Sequence, residues 1–184
     1  MPLWLTAGFG WLALAATVTL SPIPMETDMT FQIEPLPADP FISLFSLSDQ
    51  ELAARRARRV RVDAKPGYPC RISLADAEMG ETVILLNHEH LPVDTPYRSS
   101  HAIYIREGVT PYTPPPGHVP DVIARRLVSV RLFNASGDML DAGITEGSGL
   151  APLLEAAFSD PAVSFIHLHN AKQGCFAAKV VRAA

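Results

Sequence analysis

Residues 82–90 read TVILLNHEH, a run of β-branched and aliphatic residues that ends in two histidines two positions apart. Such a run is what a central strand looks like when both of its faces are covered. Alternate residues of a strand share a face, so His88 and His90 continue the face begun by Ile84 and Leu86, while Glu89 points the other way. Residues 163–169 (VSFIHLH) repeat the design, with His167 and His169 continuing the face of Val163 and Phe165. Each strand therefore runs from an apolar core to a polar end that carries two imidazoles.

Working outward, residues 101–107 (HAIYIRE) form another strand, and 31–34, 60–63 and 70–74 read as short ones. Residues 127–134 and 139–145 flank the turn Ala135-Ser136-Gly137-Asp138 as a hairpin, and 163–169 and 175–181 flank Ala171-Lys172-Gln173-Gly174 as a second. Ser48-Asp49-Gln50-Glu51 is a capping box, with Leu47 and Leu52 placed as a hydrophobic staple, so a helix is expected from Asp49 to about Arg56. Leu150, Leu153, Leu154 and Ala157 make one apolar stripe of a helix over 150–158, and a short helix falls near 121–126. Residues 111–120 hold five prolines and must be a loop. Strands in hairpins with helices set between them indicate an α+β fold, expected as a mainly antiparallel sheet of about six to seven strands with two or three short helices.

The composition fits one domain with a real core: 184 residues, 48% hydrophobic, formal charge −4. The mildly acidic balance argues against a general nucleic-acid binder, and two cysteines are too few for a disulfide scaffold. All fifteen Lys and Arg residues lie at Arg55 or later. That matters for residues 3–20 (LWLTAGFGWLALAATVTL), an uncharged apolar segment at the lower edge of what spans a bilayer. A signal peptide wants a basic n-region, and an anchor wants basic flanks. Neither is present, and Met29-Thr30-Phe31-Gln32-Ile33 offers a start directly before a strand. Residues 1–28 are accordingly an apolar extension with three readings: a misassigned start, a signal peptide or an anchor. The single domain is expected over 29–184, with 17 acids facing 15 bases. A cytoplasmic location follows, or a periplasmic or membrane-anchored one if residues 3–20 are a genuine signal or anchor.

Tyr68-Pro69-Cys70-Arg71, then Gly80-Glu81 before Val83-Ile84-Leu85-Leu86, then Pro96-Tyr97-Arg98-Ser99-Ser100 resemble the uncharacterised bacterial domain-of-unknown-function 1203 family. His167-Leu168-His169-Asn170 and Gly174-Cys175 fit the same likeness, which spans about residues 29–182. The resemblance implies the late start and carries no activity or cofactor.

Five of the six histidines sit on expected strands or at their ends: His88, His90, His101, His167 and His169. If the ends of the two H-x-H strands lie together, four imidazoles meet as ligands for a transition metal such as zinc. The alternative is a sheet margin where the rings simply bond to backbone, water or each other. Cys70 and Cys175 read as small core residues, with a nucleophile or a disulfide as alternatives. Arg71, Arg98 and His101 are the candidates for holding a small anionic ligand, since an arginine fork matches carboxylate and phosphate. Arg55-Arg56-Ala57-Arg58-Arg59-Val60-Arg61 reads as a solvated helix end rather than a nucleic-acid contact. The sequence names no reaction. It points to a small-molecule binding protein or enzyme with a His/Arg-lined pocket at a sheet margin, against a non-catalytic structural or interaction domain.

Overall fold

Hairpin after hairpin builds the protein, but in two groups that do not join edge to edge. The computed structural model describes residues 30–183. Strands β1 (Phe31–Glu34), β10 (Phe176–Arg182), β9 (Phe165–Asn170), β7 (Leu127–Phe133) and β8 (Met139–Glu146) form one five-stranded sheet in that order. Strands β2 (Ala57–Arg61), β5 (Thr82–Leu91), β6 (Ser99–Arg106), β3 (Pro69–Cys70) and β4 (Ala75–Asp76) form the second. Every pairing is antiparallel except that of β3 with β6, where Cys70 faces Tyr104. Helices α1 (Asp39–Ile42), α2 (Asp49–Ala54), α3 (Asp121–Ala124) and α4 (Leu150–Phe158) lie between the strands.

The class is mixed α+β, but the single sheet of six to seven strands is corrected to two sheets of five, and four helices replace two or three. The reason lies in the connection between β6 and β7. The proline-rich loop and α3 separate them, so β6 turns to β3 for its second partner and β7 turns to β9.

One face of the first sheet packs on α3 and α4, where Val128, Val130, Ile166, Leu168 and Val180 meet Ile123, Leu150, Leu154 and Phe158. Apolar residues at alternate strand positions and on one helix stripe bury together, which is the main stabilisation such a layer has. The second sheet buries Ile84, Leu86, Ile103 and Ile105 with Phe41 and Leu52 from α1 and α2. Phe176 of β10 belongs to this second core although its strand belongs to the first sheet. A bulge between Phe176 and Ala178 interrupts the β10–β9 register at that point.

The capping box forms as expected: Glu51 N–H donates to Ser48 Oγ, and Ser48 N–H donates to Glu51 Oε2 at 2.7 Å. The arginine run departs from its reading. Helix α2 stops at Ala54, Arg56 takes a left-handed φ of 56°, and residues 57–61 become β2. Pairing with β5 outweighs the helix preference of Arg, and Arg59 reaches back to Asp49 at 2.5 Å.

Gly147 packs where α3 ends, with no room for a side chain. A Cβ there would stand 2.1 Å from the Ile123 carbonyl oxygen and 2.9 Å from Ala124 backbone. Gly147→Ala is expected to cost about 2 kcal/mol or more in urea unfolding. Gly143→Ala, on open β8, should stay within about 0.5 kcal/mol of the parent. Equal midpoints for the two variants would contradict this packing.

Candidate functional site

Both sheets send imidazoles to one place. His90 near the end of β5 and His101 in β6 come from the second sheet, and His167 and His169 of β9 come from the first. His90 Nε2 lies 2.7 Å from His101 Nδ1, and His90 Nδ1 lies 3.3 Å from His167 Nδ1. Donor atoms of His90, His101 and His169 all fall within 4.8 Å of one another. The Phe176 ring lies flat on His90, with centroids 4.7 Å apart and planes 10° from parallel. Ser99 Oγ approaches His90 Nε2 at 3.3 Å. His167 and His169 are buried, whereas His90 and His101 are half-buried, so the cluster has a covered side and an open one.

The turn after β9 assigns the tautomer of His169. Gly174, at φ +72°, presents its carbonyl to His169 Nδ1 at 2.9 Å. A carbonyl only accepts, so Nδ1 carries the hydrogen and the neutral ring keeps a lone pair on Nε2. That Nε2 is buried and has no hydrogen-bond partner among the described residues. Buried polar atoms are almost always satisfied; Ser73 Oγ, Asp76 Oδ2 and Arg106 Nε share this state among the described residues, and a water or an ion would satisfy the His169 lone pair. Burial drives His90 down to about 2, His167 to about 3 and His169 to about 4, with neighbouring imidazoles or nearby cations adding to each shift. Burial also lowers the pKa of His101. The rings are thus held neutral, the form in which imidazole binds a metal.

The remaining candidates lie elsewhere. His88 pairs in register with His101 but sits edge-on to Phe41, centroids 5.6 Å apart. Arg98 is exposed and paired with Glu89 at 2.7 Å. Arg71 is buried behind the β9–β10 turn, where its Nε donates to the Phe176 carbonyl at 2.8 Å. Cys70 is buried in the second core, Cys175 is half-buried, and both thiols are free. The apolar segment 3–20 lies outside the described residues; within them no helix is long and apolar enough to cross a membrane.

One residue was overlooked in the sequence. Arg131 pairs in register with His167 on β7 and therefore shares its face. It is half-buried, burial lowers its pKa, and it makes no ion pair or side-chain hydrogen bond among the described residues. The signal was present in LVSVRLF, where a charge stands at an alternating position of an otherwise apolar strand.

Comparison with known families places residues 67–182 under the model described as a protein of unknown function, DUF1203. The chain belongs to the DUF1203 family. No curated protein and no solved structure matches it. All of the cluster histidines, together with Arg131, fall inside the matched span of this DUF1203 chain.

The neutral rings set an acid limit on the fold. Above pH 6.5, the ordinary imidazole value, neither the folded nor the unfolded chain is protonated at His167 or His169 and their contribution is complete. As pH falls below 6.5 the unfolded chain takes up protons, while the folded one resists until about 4 at His169 and about 3 at His167. The unfolded state then binds more protons, so stability falls with falling pH by up to about 1.4 kcal/mol per unit for each ring. Urea midpoints of EDTA-treated DUF1203 protein should drop steadily from pH 6.5 to pH 4. His169→Asn should flatten that slope, and a parent curve already flat from pH 7 to pH 4.5 would contradict the burial of neutral rings.

Proposed function

We propose that this DUF1203 protein binds a transition metal through His90, His101 and His169 and acts there on a small anionic molecule. The observation that carries the reading is the buried Nε2 of His169, without a partner among the described residues, in a set of three histidine donor atoms that lie within 4.8 Å of one another. Nitrogens bound at about 2.05 Å around one tetrahedral ion stand about 3.3 Å apart. The His90–His101 pair, at 2.7 Å, would open by roughly 0.6 Å to admit the ion, a side-chain adjustment. Zinc, or another metal suited to imidazole, fits this donor set.

The surroundings supply what such ligands need. The Gly174 carbonyl orients His169, and His167 Nδ1 stands ready to accept from His90 Nδ1–H once Nε2 is committed to metal. Three neutral nitrogens leave a divalent ion its full charge and a fourth position open, the pattern of sites that bind or activate a small molecule. Arg131, on the same face as His167 and without an acid partner among the described residues, adds a positive group to hold an anion beside that position. His101 remains the anion-site candidate from the sequence, and Arg131 takes the place there of Arg71 and Arg98. A second reading, a non-catalytic domain whose rings merely close the gap between sheets, is favoured by the 2.7 Å His90–His101 bond and the stacking on Phe176.

Cobalt titration of untagged, EDTA-treated protein separates the two. The metal reading expects one ion per chain with tetrahedral visible absorption, displaced by zinc. His90→Ala, His101→Ala and His169→Ala should each abolish that absorption. His167→Ala should weaken affinity about 10- to 100-fold, and His88→Ala should change nothing. A folded parent that takes up no stoichiometric cobalt, or triple-histidine variants that still do, would leave only the structural reading. Arg131→Ala should spare cobalt binding and weaken competition by small carboxylates and phosphate at the metal.

A further inference from the structure

A concave site lies beside the strands that carry the histidines. Its cavity of about 330 Å³ is lined by Arg71, Arg125, Arg126, Asn170, Gln173 and Cys175, with Ala102 and Tyr104 forming its β6 wall. Ala102 is adjacent to His101, and successive strand residues point to opposite faces, so this cavity opens away from the imidazole cluster.

The charges around it do not balance. Arg126 is neutralised by Asp76 at 2.8 Å, an acid almost fully buried. Arg125 is exposed, and its nearest acid, Asp121, stands at 3.8 Å. Arg71 is 2% exposed and has no acid partner at all among the described residues. Its fork instead donates to the carbonyls of Phe176 and Pro69 and to Cys175 Sγ. A buried cation without a counter-charge is costly, and buried charges are normally paired. Asn170 Nδ2 also donates to Cys175 Sγ, at the same 3.2 Å as Arg71 Nη2. Sulfur is a weak acceptor, so two good donors, one of them charged, converge at the cavity wall on a partner that uses little of their strength. An oxyanion would use both and supply the missing counter-charge, and Arg125, whose Nε donates to the Asp121 carbonyl at 2.9 Å, lines the same cavity with its remaining N–H groups.

We propose that this cavity binds the phosphate group of a small phosphorylated molecule, held by Arg71, Arg125 and Asn170 beside Cys175. The volume exceeds what a phosphate alone needs and falls at the small end of ligand pockets, leaving space for a few carbon atoms along Tyr104 and Pro69. The site does not require metal, although Arg71 stands close enough to His169 to help keep that ring neutral.

Calorimetric titration with inorganic phosphate, then with glycerol 3-phosphate, tests it at constant ionic strength in EDTA. Saturable one-to-one binding is expected, tighter for the ester than for phosphate and absent with acetate. Arg125→Ala changes an exposed side chain and should leave the fold intact, as circular dichroism would verify, while weakening phosphate about tenfold. Asn170→Asp, which sets a carboxylate against the anion, should abolish binding, and Arg131→Ala should leave it unaltered. No saturable heat with either phosphate compound would overturn the proposal. So would binding that survives Arg125→Ala and Asn170→Asp but is lost in Arg131→Ala, which would move the anion to the histidine centre.

Discussion

Phe176 is the hinge on which the arrangement rests. Its backbone belongs to β10 and the first sheet, yet its ring is buried in the core of the second. It pairs in register with His169, the bulge follows it at Ala177, and its ring lies flat on His90. Its carbonyl meanwhile accepts from Arg71. One residue therefore fixes how the two sheets face each other, presses one imidazole into place and anchors the buried guanidinium behind the strand. Removing that ring would leave a cavity between the sheets, and the histidines on its two sides would lose their common wall.

The local grammar of the chain was readable. The capping box at Ser48 and Glu51, the α4 stripe over 150–158 and the two late hairpins all follow from spacing and turn chemistry within a few residues. The division into two sheets was not readable, because it depends on β1 meeting β10 and β3 meeting β6, partners far apart in sequence whose pairing no local pattern announces. Arg55 to Arg61 misled for a similar reason. Arginine is a good helix former, and only the presence of β5 alongside makes the segment a strand.

The candidate site was legible as residue types and alternation, and illegible as distance. Period-two spacing sets His88 and His90 on one face, but an irregularity between Glu89 and Leu91 interrupts the alternation at His90, which reaches the opposite sheet while His88 lies against Phe41. His101 stands 2.7 Å from His90, a distance that nothing in its residue type or spacing announces. The orienting role of Gly174 could not be inferred from a glycine in a turn, because it arises from where the carbonyl points once φ becomes positive. Arg131 needed the β7–β9 register before its partner His167 was known.

The arginine strand has a further consequence. β2 is the outer strand of its sheet, with one row of backbone donors and acceptors left unpaired. Open edges invite a second chain to add on, and proteins guard them with charge. Arg58 and Arg61 are exposed along this border, flanked by exposed Arg55 and Arg56. Two such borders approaching each other would set guanidinium against guanidinium along their whole length. The run that reads in the sequence as a solvated helix end becomes in this architecture a charged border of the kind that disfavours edge-to-edge pairing.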